Sequence, residues 1–380
     1  PTNACPRLLS AKEWFYHPSR IHYPLKRIGE KGEGKWQQIS WDQALDEVAG
    51  KMKDLIGKYG PETVGSTTGT GRVNYEFGTR FLSMINNPNN TCGQANICHG
   101  PRAVVMKAIT GWWPYSGANP DSRCYILWGR APEQSWASIW YHIRKVKDDD
   151  RRKLIVVDPR VTESAKLADI HLQLRPGTDA ALALGLINVI IDEELYDQEF
   201  VSKYCHGFEQ LKERAKEYPP EKVQEITWIP ADRIRAAARL YANNKPGSII
   251  SGMGVEHLEN SAEYVHARTI ISAIVGNMSV VGGDIVHGPH PKMISANEID
   301  AIEMISPEQK KKQIGSDQYK LFTWPGYDMI QENLKRFWGK RGGILGCENL
   351  APAPLLYRAI LDDDPYKISA LITWDSNPLL

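Results

Sequence analysis

Tyr125-Ile126-Leu127-Trp128-Gly129-Arg130 and, after a helical interval, Leu154-Ile155-Val156-Val157-Asp158-Pro159-Arg160 are the two stretches that decide the fold. Each is a short apolar run that opens into a turn carrying a cation. Neither alternates apolar with polar residues, so both read as strands buried on two faces, the type found in parallel sheets. The order around them is strand 123–129, helix 135–148, strand 153–158, short helix 162–168, strand 170–174 and an apolar helix 179–194. That alternation predicts an α/β chain of several domains, with doubly wound, mostly parallel sheets and helices on both faces.

Working outward, residues 1–40 look irregular. Ser40 then caps a helix whose acids lie in its first turns, where they favour the helix dipole, and Gly60-Pro61 ends it. A strand over 63–68 enters a loop at Gly69 and Gly71, and 75–85 reads as a second helix. Residues 198–244 are charged amphipathic helix. Ser248-Ile249-Ile250-Ser251-Gly252-Met253-Gly254 repeats the strand-to-glycine-loop pattern and leads into a helix at 261–276. Residues 286–345 read as long surface connections, with Gln309-Lys310-Lys311-Lys312 a solvated face. A last strand, 368–374, opens into Asp375-Ser376-Asn377-Pro378.

Composition bounds the function. With 380 residues the chain is too long for one simple core. Its 46 basic and 45 acidic residues leave a net charge of +1, so no global basic surface argues for nucleic acid. No eighteen uncharged apolar residues run together, so no transmembrane helix is expected. Six scattered cysteines do not form a disulfide framework and fit a reducing setting. The chain opens on Pro1 and stops after a strand, so it is read as a fragment truncated at both ends.

In doubly wound sheets ligands collect at the carboxyl ends of strands, where loops and helix N-termini present unpaired N–H groups. Four loops have that form. After the first strand, Gly129 lets the backbone approach a phosphate and Arg130 is placed to pair with it. Asp158-Pro159-Arg160-Val161-Thr162 offers an acceptor, a cation and a hydroxyl. Arg175-Pro176-Gly177-Thr178-Asp179 precedes a helix, and Asp179 is able to accept two bonds from a guanine edge. Asp375-Ser376-Asn377-Pro378 is the fourth. Singly each reads as a capped turn; in this order they make a nucleotide cradle. No Gly-x-Gly-x-x-Gly follows the first strand and no P-loop sequence occurs, so neither an ordinary nicotinamide site nor a P-loop is expected. No clustered Cys-x-x-Cys or His-Glu-x-x-His is present for zinc.

Ahead of the cradle lies Asn96-Ile97-Cys98-His99-Gly100-Pro101-Arg102. It brings a thiolate donor, an imidazole and a cation within five positions. Cys98 is a candidate metal ligand, with a plain buried cysteine as the alternative; Cys92 is the competitor, in the preceding turn. His99 is of the residue type that ordinarily titrates near neutrality and so suits proton transfer, or it only satisfies backbone carbonyls. Arg102 orients an anionic substrate or contacts a cofactor.

These motifs resemble the molybdopterin oxidoreductase superfamily of the dimethyl sulfoxide reductase type. The likeness runs from Cys5 to Leu380, through Pro24-Leu25-Lys26-Arg27 and Ser40-Trp41-Asp42-Gln43-Ala44-Leu45. It implies molybdenum or tungsten held by two pyranopterin guanine dinucleotides. Cys5 becomes the last ligand of a [4Fe–4S] cluster whose other ligands lie upstream, and Arg7 bridges cluster and pterin. Leu8 departs from the family's glycine there. Cys98 becomes the metal ligand, a soft thiolate for a metal already held by dithiolene sulfurs. His99 reproduces the histidine that follows the ligand in formate dehydrogenases of the family. Trp128, Gly129, Arg130, Asp158, Arg160, Thr162, Gly177, Thr178 and Asp179 are expected at one dinucleotide, and Gly252, Gly254, Ser376, Asn377 and Pro378 at the second.

The implied organisation is the tail of a cluster domain at 1–45, a first α/β part at 46–94, an inserted α/β domain at 95–247 and a returning part at 248–380. A C-terminal domain is missing. The second half resembles the branch that holds acetylene hydratase. Three activities follow as expectations. One is two-electron oxygen-atom or hydride chemistry on a small substrate, with electrons relayed through the cluster to an iron–sulfur partner subunit. Another is non-redox hydration, and the third a non-catalytic subunit. Localisation is expected to be cytoplasmic, although an upstream twin-arginine signal would be lost from such a fragment.

Overall fold

The computed structural model describes residues 6–69, 75–91, 98, 100–289, 294, 296–339 and 349–376. Cys5, Cys92, His99, Asn377 and Pro378 lie outside the described residues; Arg7 falls in the short Pro6–Leu9 helix. The chain divides into two units, one of Pro1–Gly93, Asn297–Trp324 and Asn349–Leu380, the other of Gln94–Ala296 and Pro325–Glu348.

The first unit holds an antiparallel ribbon of β1 (Leu25–Arg27) and β2 (Trp36–Gln38). Its parallel pair joins β3 (Val64–Thr68), register Val64 to Ala370 through Thr68 to Trp374, with a strand near the chain's end. The Trp41–Tyr59 helix begins where Ser40 accepts a hydrogen bond from the Gln43 N–H, as the capping pattern predicts. Met52 on this helix packs with Val64 and Leu82 in a small core.

The second unit carries the four-stranded parallel sheet. In chain order its strands are β4 (Cys124–Trp128), β5 (Lys153–Val157), β6 (Ile170–Leu172) and β7 (Gly247–Ser251). The final strand of the chain, β8 (Ala370–Trp374), is the partner of β3. The spatial order β6-β5-β4-β7 places β4 inside the sheet, with the chain winding first to one side of it and later to the other. Every residue of β4 and β7 is buried, as the unbroken apolar runs require. Alternation sends Tyr125, Leu127, Leu154, Val156 and Ile250 to one face, against Ile139, Ile143, Val146 and Ala165. Trp128 turns to the other face and meets Tyr264 edge-on at 5.0 Å. The doubly wound α/β architecture expected from the sequence is therefore present.

β7 hydrogen-bonds to β4 from Gly247 opposite Cys124 to Ser251 opposite Trp128, so residues on both sides of 247/248 share this sheet. Three expectations need correction. The helix over 135–148 is three pieces, Pro132–Ser135, Ala137–Ile143 and the 3-10 turn Val146–Asp148, since Trp136 at φ −150° is not helical. The region 286–345 is not all surface connection. Trp324–Trp338 is a helix burying Trp324, Tyr327, Ile330 and Leu334, a spacing of three to four residues. Residues 1–40 also contain more order than expected, in the β1–β2 ribbon and two short helices.

Candidate nucleotide crevice and cysteine site

In the second unit the chain leaves β4 toward β5 on one side and reaches β7 on the other. The loops after β4 and β7 therefore part at the carboxyl edge of the sheet, the switch point where α/β sheets bind ligands. The two loops start in close contact. Gly252 N–H bonds to Trp128 O at 2.8 Å, and a Cβ on Gly252 would overlap the Gly129 carbonyl. Glycine is required there by the backbone approach itself. Beyond this contact lies a crevice of about 380 Å³ lined by Gly129, Arg130, Gln134, Arg160, Met253 and Gly254, among others.

The predicted loop residues divide into those that face the crevice and those that hold the loops. Asp158 is buried and accepts from Arg160 N–H at 2.9 Å, so it fixes the turn that presents Arg160. Arg160 itself is well exposed, 3.3 Å from Asp158 through Nε and 3.4 Å from Gln134 through Nη1. Thr162 caps the Glu163–Leu167 helix, accepting from Ala165 N–H at 3.1 Å. Thr178 donates to Arg175 O at 2.6 Å, and the Gly177 carbonyl accepts from Asn260 at 3.2 Å. Asp179 is buried and its Oδ1 accepts the Trp128 indole N–H at 2.8 Å. Burial pushes its carboxyl upward, opposed by that hydrogen bond. One of its two oxygens is thus committed inside the protein. Ser376 follows β8 in the first unit, where Gly69 N–H bonds to Trp374 O at 3.2 Å. Gly254, expected from the sequence at a second dinucleotide, lines the same crevice as Gly129, Arg130 and Arg160, and Gly252 sits against the Gly129 carbonyl.

Cys98 stands just ahead of the Gly100–Thr110 helix, half-buried and free, with its thiol 3.0 Å from Met253 Sδ. Met253 lines the crevice, so the thiol sits at the crevice's edge. In the first turn of that helix, Arg102 Nε lies 2.6 Å from Glu256 Oε1, and its Nη1 donates to Ser251 O at 3.4 Å. Its guanidinium rests 5.7 Å from the Trp113 ring centre. The Glu256 side chain is fully buried, and neither carboxylate oxygen has a hydrogen bond of good geometry. Burial pushes its carboxyl up to about 7, against the opposing charges of Arg102 and Arg130. Arg130 stacks on Trp136 at 4.5 Å; burial, then the nearby Arg102 charge, lower its guanidinium. Sequence reasoning gives Met253 no role of its own and does not single out Glu256. The signal available was position: an acid and a thioether directly after the β7 glycine loop, facing a cysteine far away in sequence.

Beside this cluster is a smaller cavity of about 110 Å³ lined by Arg102, Trp113, Ser116, Trp136 and Arg268, among others. Arg268 is buried against Asp284 at 2.8 Å, and Ser248 and Ser272 complete the carboxylate's partners at 3.0 and 2.7 Å. Among the described residues no three His, Cys, Asp or Glu side chains gather as a metal site, and no helix is long and apolar enough to cross a membrane.

The crevice lies at the switch point of a parallel sheet, where α/β proteins hold ligands, rimmed by arginines and flanked by the Cys98 thiol and the Met253 thioether. The family model described as Molybdopterin oxidoreductase matches residues 20–336, and the chain belongs to that family. It is 38% identical to acetylene hydratase of Syntrophotalea acetylenica across 100% of this chain and 52% of that protein. It is 35% identical to formate dehydrogenase H of Escherichia coli K12 over 89% of this chain and 45% of that protein. Dimethyl sulfoxide reductase DmsA of the same organism is 32% identical, over 74% and 39%. The solved acetylene hydratase from Pelobacter acetylenicus superposes with a TM-score of 0.93 at 38% identity, covering 100% of this chain and 52% of that one. The chain spans about half the length of the relatives it matches.

Proposed function

We propose that the chain is the cofactor-holding half of a molybdenum or tungsten enzyme whose metal is carried on two pyranopterin guanine dinucleotides. The observation that carries this is the Cys98 thiol beside Met253 at the edge of the arginine-rimmed crevice. The residues present fit such a group: a free thiol is a soft donor for a soft metal, and Arg130, Arg160 and the glycine backbone suit an anionic diphosphate. When bound, the metal supplies either a two-electron couple or a Lewis acid. Cys98 holds it from the protein side. Arg130 and Arg160 orient the diphosphate, and Asp158 and Thr162 keep the Arg160 loop in shape. Arg102, held by Glu256, presents a fixed cation from the helix that follows Cys98 for an anionic substrate or pterin, and His99, the residue after Cys98, is proposed to carry a proton.

The reaction we favour is two-electron oxygen-atom or hydride chemistry on a small substrate. Electrons would leave through a [4Fe–4S] cluster, with Cys5 and Arg7 on the path, to an iron–sulfur partner subunit. Ser376, Asn377 and Pro378 are proposed to reach the second dinucleotide. A second reading, non-redox hydration, is favoured by the likeness to acetylene hydratase over the whole chain. The full-length holoenzyme separates the two. Dye-linked turnover with formate, a sulfoxide or a sulfur oxyanion supports the first; acetylene converted with no dye reduced supports the second. Absence of molybdenum and tungsten from the intact protein would overturn both.

A further inference from the structure

Glu256, two residues beyond the crevice-lining Gly254, is a charged side chain whose environment is poorly matched to its charge. It is fully buried, it has one ion-pair contact, 2.6 Å to Arg102, and both its oxygens lack a well-aligned hydrogen bond. A buried carboxylate in that state is costly unless neighbouring cations hold it ionised. The charged groups acting on it are Arg102, from the helix after Cys98, and Arg130, from the loop after β4; burial opposes them and outweighs them. On its own segment His257 and Glu259 are exposed. Arg130 is shared: it acts on Glu256 from one side and lines the crevice on the other.

We propose that Glu256 is a proton-coupled counter-ion of the crevice: it balances Arg102 and Arg130 while the crevice is free, and takes up a solvent proton when an anionic diphosphate engages Arg130. The inference rests on the diphosphate reading of the crevice given above. Its physical basis is competition. A phosphate anion near Arg130 withdraws part of the positive potential that keeps the carboxylate ionised, and adds a negative charge close by. The carboxylate becomes a neutral acid, which removes the repulsion between it and the incoming anion. Linkage then makes diphosphate binding weaken as pH rises above neutrality, because the bound state holds one more proton than the free state.

The test uses full-length protein purified free of cofactor, titrated calorimetrically with guanosine diphosphate in two buffers of different ionisation heat. Expected at pH 7.5 is a buffer-dependent heat corresponding to net proton uptake. Affinity should fall by up to about tenfold per pH unit above 7. Glu256→Gln should bind guanosine diphosphate more tightly at pH 8, without proton uptake, and Glu256→Asp should retain the uptake. Equal heats in both buffers for the unaltered protein, or undiminished uptake in Glu256→Gln, overturn the proposal while leaving the diphosphate reading standing. No binding of guanosine diphosphate at all overturns the diphosphate reading and this proposal with it. If the glutamine variant does not fold, the buffer comparison on the unaltered protein decides alone.

Discussion

The two units each end a pair of parallel strands in a glycine loop, yet the polar groups around those strands differ: mostly neutral amides and hydroxyls in the first, arginines and a glutamate in the second. Beneath β3 a set of neutral polar side chains is hydrogen-bonded, beside the buried Glu62 that pairs with Lys312. Asn87 Nδ2 donates to Val64 O at 2.7 Å, Asn89 Nδ2 to the Tyr366 hydroxyl at 2.7 Å, and Ser66 accepts from Thr91 N–H at 3.1 Å. Ile314 N–H closes the set on Asn89 Oδ1 at 3.0 Å. Beyond β4 and β7 the polar groups are charged, and Glu256 and the Arg130 Nε lack hydrogen-bond partners. A satisfied amide network rigidifies a fold, whereas an under-satisfied charged cluster marks where something else is expected to bind.

That contrast can be broken by mutation. The largest effect belongs to the cysteine: Cys98→Ala in the full-length protein should lower metal content and turnover by on the order of 10²-fold or more, read by metal analysis and assay, with folding intact. Asp284→Ala leaves Arg268 buried without its partner and should cost about 3–5 kcal/mol in a denaturant titration. The pH dependence of stability sharpens the same comparison. The Glu256 carboxyl is raised from an ordinary 4.5 to about 7. Its contribution is therefore full below pH 4.5 and lost as pH rises to about 7. Glu256→Gln should remove on the order of 3 kcal/mol of that slope, seen by repeating the titration across pH. In the first unit, Asn89→Ala strands several buried partners and should cost about 1–3 kcal/mol with no effect on ligand binding by the second unit. The smallest effect is the loss of a helix cap in Thr162→Ala, about 1 kcal/mol.

Legibility in the sequence followed the same division. β4, β5 and β7 were readable because strands buried on both faces cannot alternate, and their unbroken apolar runs mark them without ambiguity. Gly129, Arg130 and Arg160 could be placed because loops at strand carboxyl ends have one destination. The helix 324–338 was obscured by charged residues on its outer face, although Tyr327, Ile330 and Leu334 keep its period. The break at Trp136 carries no proline or glycine of its own to announce it. Glu256 was invisible as a site residue because its meaning depends on Arg102, far away in sequence, and only the fold brings the two together. The place of β7 beside β4 is hidden for a related reason: a strand that returns to complete an earlier sheet looks, from sequence, like the start of something new.

A parallel sheet also has a direction for anyone wishing to rebuild the protein. All four strands of the second unit point their carboxyl ends at the crevice, where Gly129 and Gly252 leave no room for a methyl group. The opposite edge is built differently: the turn before β5 runs through half-buried Asp149 and exposed Arg151, joined to each other at 2.8 Å. Tags, permuted termini or grafted segments belong at that amino-terminal edge, because there the chain can be opened without touching the groups that face the crevice.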